Sequence, residues 1–73
     1  MTHTLDATRL LCPMPVIKLS QQIGDLSVGD TIEIFATDPG VKNDIPAWCR
    51  VHGDAVLSVE EQDEKIVLLI EKN

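Results

Sequence analysis

The sequence predicts an α/β fold: a two-layer sandwich in the order βαβαββ, with a mixed four-stranded sheet and both helices on one face. Three observations carry this expectation. Apolar and polar residues alternate through 31–37, the period of a strand with one buried face. Proline-marked helix starts stand at Cys12-Pro13-Met14-Pro15 and at Asp38-Pro39-Gly40. Two strand-like segments near the C-terminus are joined by a short polar turn.

The elements follow in order. His3-Thr4-Leu5-Asp6-Ala7 reads as a short strand. A helix runs from Pro13 to about Ile23, with Pro13 at the first helical position, where a fixed φ helps and no N–H is needed. Gly24 is its stop and Gly29-Asp30 a turn. Ile32, Ile34 and Ala36 then alternate with Thr31, Glu33 and Thr37, and Phe35 is the exception on the other face. After Asp38-Pro39-Gly40, the residues Val41, Ile45, Trp48, Cys49 and His52 recur at helical spacing until Gly53. Ala55 to Glu61 and Lys65 to Glu71 are strands joined by Gln62-Asp63-Glu64. Two helical crossovers imply parallel pairings and the terminal hairpin an antiparallel one. Both crossovers prefer the same hand, which puts the helices on one face.

Residues 1–73 make a single domain, with a core near the lower limit for independent folding. Such a chain is too small for a cleft that encloses a large cofactor, and none is expected. Lys and Arg total 6 against 12 Asp and Glu, a formal net charge of −6. This balance argues against unaided binding to nucleic acid or an anionic membrane and is compatible with a basic protein partner. No signal peptide is visible and no segment approaches transmembrane length, so a cytoplasmic location with reduced thiols is expected. A disulfide between Cys12 and Cys49 is disfavoured on the same ground.

Cys12 is the leading candidate for chemistry. As the expected N-cap, it faces free N–H groups and the positive end of the helix dipole, which favour the reactive thiolate. With Pro15 at the third helical position, the Met14 N–H is the donor most available to the sulfur. Arg9 and Lys18 lie close in sequence and add positive potential. The plain alternative is a small apolar residue that caps and packs, although Ser, Thr, Asp and Asn cap better.

Cys49 falls on the apolar stripe with Val41, Ile45 and Trp48, which favours a buried, inert thiol over a resolving one. His3 and His52 complete a formal Cys2His2 set, but its spacing is not that of a zinc site, and no metal is expected. A Cys-His dyad lacks an orienting partner. The carboxylates at 60, 61, 63 and 64 read as a solvated turn, and Lys18 as a surface lysine rather than a Schiff base.

Leu5-Asp6-Ala7, Leu10, Cys12-Pro13-Met14-Pro15, Asp38-Pro39-Gly40 and Asp44-Ile45-Pro46 together resemble the TusA (SirA-like) sulfur-carrier family, from about residue 4 to the C-terminus. The Asp44-Ile45-Pro46 stretch and the second cysteine, at 49, bring the resemblance nearest to the branch that serves tRNA 2-thiouridine synthesis. The resemblance implies a sulfurtransferase in which Cys12 takes sulfane sulfur from a cysteine desulfurase as a persulfide. The sulfur then passes to a downstream relay protein, without direct contact with tRNA and with no turnover by the carrier alone. It also implies a departure, because the family usually has Gly where this chain has Arg9, and Gly marks backbone shapes that other residues resist. Three alternatives remain beside it. One is sulfur delivery to dissimilatory sulfur oxidation or molybdenum-cofactor assembly, and another is a non-catalytic regulatory module. The third, a thiol-disulfide protein using Cys12 and Cys49, is weakened by the lack of a Cys-x-x-Cys pair. The free chain is expected to be a monomer.

Overall fold

A computed structural model of the chain describes residues 2–11 and 13–73. The elements are β1 (Thr2–Ala7), α1 (Met14–Ile23), β2 (Thr31–Ala36), α2 (Val41–His52), β3 (Ala55–Gln62) and β4 (Lys65–Glu71). They match the expected βαβαββ order, and both helices cover the same face of one four-stranded sheet of order β1-β2-β4-β3.

The second crossover differs from expectation. β1 and β2 pair in parallel, but β2 and β3 are not neighbours, because β4 inserts between them and pairs antiparallel with both. The physical reason lies in composition. Ile66, Leu68 and Ile70 of β4 point at the helices and are buried, whereas β3 carries Ser58, Glu60 and Glu61 and suits an edge. A register shift between Val56 and Ser58 further breaks the regularity of that edge, a common protection against edge-to-edge association.

The core is the single layer between sheet and helices. Leu5 and Ala7, Ile32, Ile34 and Ala36, and Ile66, Leu68 and Ile70 meet Leu19 and Ile23 of α1 and Val41, Ile45 and Cys49 of α2. Their spacing is two along the strands and four along the helices, as each period requires.

The turns depart from the sequence reading in detail. Gly24 keeps a right-handed conformation, with φ −63° and ψ −24°, so the chain goes on turning through bonds from Asp25 N to Gln22 O (3.0 Å) and Leu26 N to Ile23 O (3.1 Å). That extra turn buries Leu26. Gly53 does stop α2 with φ +81°, and both it and Asp54 donate to the Cys49 carbonyl. The last hairpin turns on Asp63 and Glu64 alone, both at positive φ, with Gln62 paired to Lys65. At the opposite end of the sheet, Gly29 N–H donates to Lys72 O at 2.7 Å, and Lys72 Nζ donates to Leu26 O at 2.7 Å.

Leu68 is fully buried on the inner strand β4, so truncation leaves a hole that two flanking strands and two helices cannot easily close. Leu68→Ala is expected to lower stability by about 2–5 kcal/mol. Urea denaturation followed by circular dichroism measures this, and a loss below about 1 kcal/mol would contradict a rigid single-layer core.

Candidate functional site

The loop from β1 to α1 carries the candidate chemistry. Cys12 itself lies outside the described residues, so the site is built from what flanks it. Asp6, near the end of β1, braces the loop's start: its carboxylate accepts the Thr8 N–H at 3.0 Å and the Thr8 hydroxyl at 2.6 Å. These bonds hold the Asp6 carboxyl below the usual carboxylate range. Arg9 follows with φ +69°, and its N–H donates to Thr37 Oγ1 at 3.0 Å. The bond ties the loop after β1 to the loop after β2. Because these strands are parallel, both loops and the start of each helix lie at one end of the sheet.

The helix start is shifted by one residue from expectation. Pro13, not Cys12, occupies the cap position, with Met14 and then Pro15 as the first helical residues. The Met14 N–H expected to face the sulfur is instead donated to Leu11 O at 2.9 Å. Pro13 and Pro15 have no N–H, so Val16 carries the next backbone donor. The first helical bond runs from Ile17 N to Pro13 O at 3.1 Å.

Around this start the surface is apolar. Leu11 is 75% exposed, and Met14 and Ile17 are each 40% exposed, while Pro15 and Leu19 turn inward to the core. Leu11, Met14 and Ile17 recur at every third residue and form an exposed ridge beside residue 12. The sequence reading did not single it out, because the same residues satisfy an ordinary amphipathic helix. The signal was present in the excess: apolar residues occupy more of this first turn than one buried stripe needs.

The other candidates separate from this end. Cys49 is unpaired and fully buried against the sheet, and burial, with Asp54 adding to it, pushes its thiol up to about 11. His3 Nε2 lies 3.4 Å from Asp30 Oδ2, whose carboxyl is held low chiefly by the Ser27 N–H. His52 stacks on Trp48, with ring centroids 4.1 Å apart and planes inclined by 19°. Its Nδ1 is also 3.0 Å from the Trp48 carbonyl oxygen. Among the described residues no group of three or more His, Cys, Asp or Glu is placed to hold a metal ion. Lys18 is exposed on α1 beside an open groove of about 600 Å³ that runs between α1 and β1 and includes His3, Gln22 and Asp25. Of the predicted acidic turn, Glu61 pairs with Lys42 of α2, and Asp63 and Glu64 form the hairpin loop.

This is a small two-layer α/β protein whose candidate loop, braced by its neighbour, leads into a helix start flanked by exposed side chains. A family model described as Sulfurtransferase TusA matches residues 3–72. The chain belongs to the TusA family. It is similar to the sulfur carrier protein TusA of Pseudomonas fluorescens, 41% identical over 96% of this chain and 84% of that one. It is also similar to that of Pseudomonas aeruginosa, 43% identical over 88% of this chain and 84% of the relative. Two longer relatives differ in extent. The chain spans 36% of the length of one from Aquifex aeolicus, at 36% identity, and 34% of one from Bacillus subtilis, at 41% identity. No helix of the described residues is long and apolar enough to cross a membrane.

Arg9 bears a side chain at a left-handed φ that glycine adopts freely. The left-handed conformation costs an L-residue about 1–2 kcal/mol, and the greater unfolded-state freedom of Gly returns about 0.5–1 kcal/mol of that. Arg9→Gly should therefore stabilise the fold by about 0.5–1 kcal/mol, seen as a higher urea midpoint. A lower midpoint would mean that the guanidinium makes a contact worth more than the backbone strain.

Cys49 gives a pH dependence of known sign. Its ordinary value is 9.0 and its folded value about 11, so between these the unfolded thiol has lost its proton and the folded one has not. The unfolded state binds fewer protons there, so stability is full below pH 9 and falls as pH rises toward 11. Comparison of the protein with Cys49→Ala isolates this slope from other groups that titrate in the range. Equal slopes in the two proteins would contradict a buried, neutral thiol.

Proposed function

We propose that the chain is a sulfur carrier that works through a persulfide on Cys12. Membership of the TusA family over residues 3–72, which include Cys12-Pro13-Met14-Pro15, carries this reading. The exposed ridge of Leu11, Met14 and Ile17 supports it, because partners must reach one residue in succession and an apolar rim favours brief docking. Pro13 and Pro15 stiffen the helix start and so reduce the ordering needed when a partner binds.

In the proposed step, the Cys12 thiolate attacks the outer sulfur of the persulfide on a cysteine desulfurase. A new S–S bond forms on Cys12, the donor's S–S bond breaks, and the donor thiolate leaves. The sulfur moves as sulfane sulfur, so no external oxidant or reductant is consumed. An acceptor cysteine on the next relay protein then attacks the outer sulfur of Cys12 in the same way and frees the carrier. A thiolate at Cys12 serves both directions, since Cys12 is nucleophile in the first step and leaving group in the second.

The pathway we favour is 2-thiolation of the tRNA wobble uridine in the cytoplasm, with the carrier monomeric when free. Two named relatives are TusA proteins of similar length, which favours this branch. The charge of −6 agrees with a carrier that meets proteins and leaves the tRNA to its acceptor.

Incubation with a cysteine desulfurase and cysteine, followed by intact-protein mass spectrometry, should add one sulfur atom to the chain. Cys12→Ser is expected to fold normally and to lose this addition entirely, whereas Cys49→Ser keeps it. Full loading of folded Cys12→Ser would overturn the assignment.

A further inference from the structure

We propose that the open face of the sheet is a second docking surface, on which a basic amphipathic helix of a partner protein seats over Phe35. The observation is a break in pattern. Alternation leaves polar residues on the uncovered face of β1, where Thr4 and Asp6 are exposed. The two inner strands do otherwise: Phe35 of β2 and Val67 and Leu69 of β4 lie on that face, half-buried and side by side, with Phe35 directly opposite Val67. Both helices are on the other face, so nothing in the described fold covers these side chains. Shallow depressions flank the Phe35 ring. One, of about 340 Å³, lies toward Thr4, Asp6 and Thr8, and the other, of about 290 Å³, lies toward Gln62, Asp63 and Val67, with Lys65 lining both.

Charge selects the occupant. The register puts Asp6, Glu33, Glu60 and Glu71 on this face around the apolar centre, with Lys65 as its basic residue. A second copy would set this acidic rim against itself, and nucleic acid or an anionic membrane would be repelled. A helix with an apolar stripe between rows of Lys or Arg meets the centre with apolar groups and the rim with cations. The dimensions agree. Asp6 on β1 and Glu60 on β3 stand three strand spacings apart, about 14 Å at the usual separation. One helix with its side chains is about 10–12 Å across and fits between them.

This surface and the start of α1 are different parts of the molecule, so a partner seated here leaves the Cys12 loop free. The consequence is a carrier that one protein can hold while others exchange sulfur with it. The docking itself does not depend on what Cys12 does.

The test is an NMR titration of the ¹⁵N-labelled chain with a synthetic amphipathic peptide of Leu and Lys at helical spacing. The control is a peptide in which Glu replaces every Lys. The Lys peptide should shift the amides of Thr4, Glu33, Phe35, Val67 and Leu69, and the Glu peptide should shift none. Phe35→Thr should weaken binding about tenfold or more, the loss expected for a central aromatic anchor. The double variant Glu33→Lys, Glu60→Lys should weaken it similarly and decides the matter if Phe35→Thr does not fold. Shifts centred on α1 or α2, or unchanged affinity in a folded variant, would overturn the proposal. So would a dimer of the free chain that Phe35→Thr dissociates, since the occupant would then be a second copy. Loading of Cys12 by a desulfurase is read separately and is expected to survive Phe35→Thr. Its loss there would merge this face with the donor's site and overturn its independence.

Discussion

One apolar layer supports the molecule, and its centre is the antiparallel pair β2 and β4. Ile32, Ile34 and Ala36 face Ile70, Leu68 and Ile66 across that pair, and every one of them is buried beneath the helices. Burying a side chain of this size contributes about 1.5–3 kcal/mol, which a chain of 73 residues needs nearly everywhere it can obtain it. Among the described residues no second layer forms on the far side of the sheet. The inside of the protein is therefore used up by stability, and chemistry or recognition must be arranged on loops, helix ends and the outer sheet face.

The parallel pairing of β1 with β2 makes one such place. Parallel strands end at the same edge, so the loops into α1 and α2 emerge together, and the bond from Arg9 N–H to Thr37 Oγ1 joins them. The loop around residue 12 is thereby held at four points: the Asp6–Thr8 turn, Leu10 N–H to Ala7 O, Arg9 to Thr37, and the Met14 N–H to Leu11 O. A helix start held in this way presents the same geometry to successive partners without an enclosing pocket, which suits a reaction whose other half arrives on another protein. The contrast with Cys49 is instructive. The same element stands in the same chain, but it is placed on the inward stripe of α2, and the surrounding apolar groups keep it protonated and out of reach.

The two surfaces differ in a way that follows from this architecture. At the start of α1, exposed Leu11, Met14 and Ile17 make a small apolar ridge, with exposed Arg9 and Lys18 close in sequence. On the outer sheet face, apolar Phe35, Val67 and Leu69 sit inside an acidic ring. A ridge suits short-lived encounters, whereas a ringed patch adds charge selection to apolar contact. The acidic excess of the whole chain thus acquires a local meaning on the sheet face that the net charge alone does not provide.

Much of this was legible beforehand. Alternation through Ile32, Ile34 and Ala36, the stripe of Val41, Ile45 and Cys49, and the prolines at 13 and 39 determined the elements, their order and the buried cysteine, because period and capping are local properties. The run Cys12-Pro13-Met14-Pro15, taken with Leu5-Asp6-Ala7, Leu10, Asp38-Pro39-Gly40 and Asp44-Ile45-Pro46, likewise indicated the family. Tertiary structure alone decided that β4 lies between β2 and β3, because strand order depends on which strand is apolar on both faces, a comparison between distant segments. It also decided that the Met14 amide turns to Leu11 and that Arg9 takes a left-handed φ bonded to Thr37, 28 residues away. The exception at Phe35 was visible in the sequence, but its neighbours Val67 and Leu69 were not, since only pairing across strands brings them to one face.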